Sequence, residues 1–89
     1  MSNHFEDVWL EAETVAAKDY SSDYALELIH NHADVIRELI ARGASPQDLS
    51  DEMGGLLMCI ATISKNHDIN VWGSMVDATN DFRSSQMAD

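Results

Sequence analysis

Apolar residues recur at helical spacing along four stretches of the chain, and the breaks between them fall at residues that stop and start helices. Phe5, Val8, Trp9, Ala12, Val15 and Ala16 follow the i, i+3, i+4, i+7 rhythm of one apolar stripe, which predicts a first helix from about 4 to 19. Asn3 precedes it with Glu6 three residues on, a variant of the capping box in which the Asn side chain accepts from an orphan amide and the carboxylate reaches back. Glu6, Asp7, Glu11 and Glu13 fall off the stripe and belong in solvent.

Tyr20-Ser21-Ser22-Asp23 breaks the rhythm, and Ser21 or Ser22 caps a second helix that runs to Arg42. Its inward face is Ala25, Leu28, Ile29, His32, Ile36, Leu39 and Ile40. Tyr24, Leu26, Ala33 and Val35 widen the apolar surface, so this helix needs neighbours on two sides. Gly43 sits where a left-handed residue closes the helix without a Cβ penalty.

Ser45-Pro46-Gln47-Asp48 supplies an N-cap, a proline at the first helical position and an early acid. Leu49, Met53, Leu56, Leu57, Ile60 and Ile63 form the inward stripe of helix three, flanked by Met58, Cys59 and Ala61. Gly54-Gly55 inside it costs about 1 kcal/mol per glycine against alanine, which points to close approach of another helix or of a ligand. Lys65-Asn66-His67-Asp68 ends the helix, with Asn66 suited to the left-handed position, and Asn70 caps the next. Val71, Trp72, Met75, Val76, Thr79 and Phe82 give a last amphipathic helix to about 84, beyond which too little apolar surface remains to hold the tail. No strand alternation or hairpin turn occurs. The expected fold is therefore all-α, a small four-helix antiparallel bundle forming one domain over 1–84 with a frayed tail at 85–89.

A chain of 89 residues builds only a thin core. The broadly apolar second and third helices exceed what four short helices can cover, which predicts a homodimer; a compact monomer with a Met-rich core is the alternative. A hydrophobic content of 45% excludes a disordered acidic tail. The single Cys59 excludes an intramolecular disulfide and suits a reducing cytoplasm. No stretch reaches the length of a membrane span, and the first residues lack the basic start and apolar core of a secretory signal.

Charge changes the picture of partners most. Sixteen acidic residues against five Lys and Arg give a net charge of −11. Lys18, Arg37, Arg42, Lys65 and Arg83 are scattered, which disfavours direct nucleic-acid contact and binding to anionic membranes. A strongly negative protein is steered instead toward basic surfaces, many of which hold nucleic acid; the plainer alternative is that acidity maintains solubility. The face expected to meet a basic protein partner comprises Glu6, Asp7, Glu11 and Glu13 with Asp77 and Asp81 of the last helix.

Catalytic signals are sparse. Glu27, His30 and Asp34 at i, i+3 and i+7 offer two carboxylates and an imidazole on one helical face, whereas His32 points elsewhere and reads as a core histidine. Cys59 has no basic neighbour and reads as structural. No Gly-rich phosphate loop, zinc-ligand spacing or serine nucleophile elbow is present.

In Ala25-Leu26-Glu27-Leu28-Ile29-His30-Asn31-His32-Ala33-Asp34 and Asp51-Glu52-Met53-Gly54-Gly55 the chain resembles a shortened MazG-like all-α nucleotide pyrophosphohydrolase over Tyr24 to Arg83, with His67-Asp68-Ile69-Asn70-Val71 similar to the link into that family's last helix. The resemblance implies a magnesium site. Asn31 and Asp34 stand at the first motif's two acidic positions and Glu52 and Gly55 at the second's, so Asp34 and Glu52 alone keep carboxylates, with Asp48, Asp51 or Glu27 to supply the missing ligands. Two readings of function follow: a non-catalytic acidic protein that inhibits nucleic-acid-handling machinery for a phage or mobile element, and a divergent metal-dependent pyrophosphohydrolase. A purely structural dimeric adaptor is the third.

Overall fold

The computed structural model describes residues 4–16 and 20–87. Asn3 and its cap, the expected end of the first helix at 17–19, the side chain of Ala16 and tail positions 88–89 lie outside the described residues. Four α-helices follow one another, α1 His4–Ala16, α2 Ser22–Ala41, α3 Pro46–Asn66 and α4 Val71–Met87, with no strand among the described residues. The fold is all-α. None of these helices is long and apolar enough to cross a membrane.

The caps explain the boundaries. The Ser21 hydroxyl accepts from the Tyr24 amide at 3.1 Å, and Ser45 does the same for Asp48 at 3.2 Å with Pro46 opening α3. The Asn70 side chain accepts from the Gly73 amide at 3.1 Å ahead of α4. Gly43 takes the left-handed conformation after α2, φ 66°. After α3 that role falls to Asp68, φ 54°, and not to Asn66, whose side-chain amide instead donates to the Tyr20 carbonyl and to Ser22 Oγ. Helix α4 continues to Met87, beyond the end expected at 84.

Helix α3 is the centre of the fold: α2 packs along it, and so does α1. The two approach different sides. A Cβ at Gly55 would lie 2.6 Å from Cε1 of His32, so the imidazole of α2 packs over a position left bare by the absence of a side chain. Gly54 meets nothing within 4 Å and borders a groove shared with Phe5, Val8 and Trp9 of α1. The first turn of α2 meets the last turn of α3 through Ser22 Oγ and His67 Nε2, 3.0 Å apart.

Burial is limited to small side chains with two larger ones: Trp9, Ala25, Leu39, Cys59 and Ala61, together with Thr62 and Ser64. The last two donate their hydroxyl hydrogens to the Met58 and Ile60 carbonyls at 3.1 and 2.9 Å, which satisfies them without a partner helix. The expected inward stripes are only partly enclosed. Ile40, Met53 and Leu57 are 63%, 53% and 42% exposed, and Val8 of α1 is 52% exposed. Because α3 is gripped on two sides, its buried positions do not fall on one stripe.

The two glycines separate two effects. Gly54→Ala is expected to raise stability by up to about 1 kcal/mol through helix propensity alone. Gly55→Ala is expected to lower it by about 1 kcal/mol, since the new methyl displaces the His32 ring and breaks its bond to Glu52. Thermal melts of the two variants check this; stabilisation by both would remove the claim that α2 needs a bare position 55.

Candidate functional site

Two kinds of surface stand out, one acidic and one apolar. On α1, Asp7 and Glu11 are one turn apart and lie on the side of the helix away from buried Trp9, both exposed. Glu6 and Glu13, two turns apart, border the seam with the core. Glu13 is half-buried because its Oε1 accepts the indole N–H of Trp9 at 2.7 Å, so it is committed within α1. On α4, Asp77 and Asp81 are again one turn apart, exposed and on the side opposite Trp72. The contacts that join α1 to α4 are aromatic, and the six carboxylates fall in three separate pairs, Asp7 with Glu11 and Glu6 with Glu13 on different sides of α1, and Asp77 with Asp81 on α4.

Those aromatic contacts are what sequence reasoning missed. The Trp72 ring stands edge-on to Phe5 at 5.5 Å and to Trp9 at 6.4 Å. Its indole N–H is buried without an acceptor, a cost on the order of 1–3 kcal/mol that the ring contacts partly offset. The rings, with Leu57, Ile60, Val71 and Met75, line an apolar cavity of about 250 Å³. A neighbouring groove of about 210 Å³ shares Phe5, Trp9 and Leu57 with it and continues along α1 past Val8. The signal was present: Trp9 and Phe5 share the apolar stripe of α1, and Trp72 opens that of α4.

The carboxylates assigned to a metal are engaged otherwise. Glu52 Oε1 lies 2.8 Å from Nδ1 of His32, a part-buried bond across α2 and α3 worth about 1 kcal/mol. Asp34 lies 3.7 Å from the Arg37 guanidinium one turn along α2, an exposed pair of little energetic weight. Asp51 accepts from Gln47 at 2.9 Å. Among the described residues no three His, Cys, Asp or Glu side chains converge to hold a metal ion, so neither the Glu27, His30 and Asp34 face nor Asp34 with Glu52 fits magnesium, which asks for several oxygens at short distance.

Comparison of the chain with protein-family models, with curated proteins and with solved structures finds no match in any of the three.

Cys59 is buried, and desolvation pushes its thiol above the ordinary value, so little thiolate forms near neutral pH. A thiol reagent at pH 8 is expected to label Cys59 at least about a hundredfold more slowly in the folded protein than in denaturant. Equal rates would contradict its burial.

Proposed function

We propose that the protein is a non-catalytic, dimeric, antiparallel helical binding protein whose acidic side chains dock on a basic surface of a protein partner. The partner surface is of the kind that otherwise holds nucleic acid. In this reading the chain is an inhibitor carried by a phage or mobile element and acts in the cytoplasm on nucleic-acid-handling machinery. One observation carries the reading: among the described residues only Asp34 and Glu52 lie within ion-pair distance of a basic side chain. The remaining described carboxylates of this chain of net charge −11 have no cation within ion-pair distance, and Asp7, Glu11, Asp77 and Asp81 stand in exposed pairs one turn apart. Such pairs repel each other on an isolated helix, and a cationic partner relieves that repulsion. Phosphates space their charges along a strand in a comparable way, so a groove built for nucleic acid offers complementary cations.

Titration against a panel of purified DNA- and RNA-binding proteins, with nucleic acid as competitor, tests the reading. At least one complex is expected, displaced by nucleic acid and weakened about tenfold or more when salt rises from roughly 50 to 200 mM. The double variant Asp7→Lys with Glu11→Lys is expected to weaken it further while keeping its helical signal. Binding indifferent to salt, or no binding to any basic surface, would sink the idea. Release of pyrophosphate from a nucleoside triphosphate in magnesium would replace it with the hydrolase reading.

A further inference from the structure

Three helices meet around one cavity. Phe5 and Trp9 of α1, Leu57 and Ile60 of α3, and Trp72 and Met75 of α4 surround the space of about 250 Å³ described above. Its inner side is well covered, since Trp9 is 7% exposed and Ile60 and Trp72 are half-buried. Phe5, Leu57 and Met75 are 58%, 42% and 55% exposed and form its rim, so a small molecule can enter past a flexible thioether. Helix α4 does not pack along any other described helix, and the edge-on contacts of Trp72 with Phe5 and Trp9 join its first turn to α1 across this same space.

The lining decides what fits. Among these side chains the two indole N–H groups are the only strong hydrogen-bonding groups. That of Trp9 is given to Glu13 at 2.7 Å, and that of Trp72 is buried without an acceptor. Water needs about two to four polar partners and finds at most one here. A peptide segment brings an N–H and a C=O with every residue and leaves most of them unpaired against such a lining. A carboxylate or phosphate is repelled by a chain of net charge −11, and an ion of either sign loses its hydration among apolar side chains. A cavity of about 150 Å³ admits benzene, so one of about 250 Å³ has room for a second fused ring.

We propose that this cavity binds a neutral two-ring aromatic molecule that carries one hydrogen-bond acceptor. Its rings pack against Phe5, Trp9 and Trp72, and its acceptor takes the Trp72 indole N–H, which removes the cost of leaving that group unpaired. The ligand touches α1, α3 and α4 at once, so its binding fastens α4 to two helices along which it does not otherwise pack. This inference stands apart from the function proposed above, and failure of the dimer or of the basic partner leaves it intact.

Proton–nitrogen correlation spectra of the full chain test it with two probes of one shape, quinoline and naphthalene. The chain has two tryptophans, and Trp72→Phe tells their indole N–H signals apart. Quinoline near neutral pH is expected to move the Trp72 signal downfield in a saturable way, with a dissociation constant below about 1 mM. Naphthalene, which lacks the acceptor, is expected to bind without that downfield move. Met75→Glu and Leu57→Gln, at exposed rim positions, are each expected to weaken quinoline binding about tenfold or more while keeping the helical signal. Phe82→Glu, farther along α4 and outside the cavity, is expected to leave binding unchanged. No saturable shift up to about 5 mM quinoline overturns the site. Equal shifts with both probes overturn the acceptor that defines the ligand class, and binding that survives both rim variants overturns its location.

Discussion

The imidazole of His32 fills the volume that a side chain at position 55 would need, and its Nδ1 reaches Glu52 at 2.8 Å. That contact joins α2 to α3 at the middle of their packed length. With α2 seated there, Ser22 and Asn66 close the far end of the pair with His67 and the Tyr20 carbonyl. The side of α3 bordered by Gly54 and Leu57 is then left to α1, whose Trp9 is the only large aromatic side chain the described residues bury. Trp72 rests on that ring and on Phe5, so the start of α4 is positioned by α1 and the rest of it is free to meet something else.

A core in which only Trp9 and Leu39 are large and Ala25, Cys59, Ala61, Thr62 and Ser64 fill the rest holds helices close but hides little apolar area per residue. Close approach and large burial are alternatives here. Small side chains at the contacts let the backbones come near, and larger side chains are displaced to the flanks, where Val8, Ile40, Met53 and Phe82 remain more than half exposed. The apolar area left on those flanks carries a hydrophobic driving force of about 25 cal/mol per Å² that association could use.

Local signals along the chain carried most of the element boundaries. Ser45 with Pro46, Gly43 and Asn70 each act within a few residues, and the structure places them as caps or terminators for the reasons their chemistry gives. Gly55 was legible as a close approach, although only the structure shows that the neighbour is His32. The stripes of α2 and α3 were harder to read because periodicity locates one best face, whereas α3 has two neighbours on different sides and α2 has one. Ile40 and Met53 therefore satisfy the rhythm without being covered. The metal face at Glu27, His30 and Asp34 was a pattern on a single helix; ligation needs convergence from several elements, and spacing along one helix cannot report it.

Under the proposed function, the apolar and acidic surfaces would support two associations with opposite responses to salt. Pairing of two chains, each of charge −11, is opposed by their mutual repulsion, so screening strengthens it. Docking on a cationic groove is driven by attraction, so screening weakens it. Pairing also presents two sets of carboxylates in a fixed relation, and a partner that engages both gains from effective concentration without new contacts. Under the proposed function, self-association would thus also organise the charge that meets the partner.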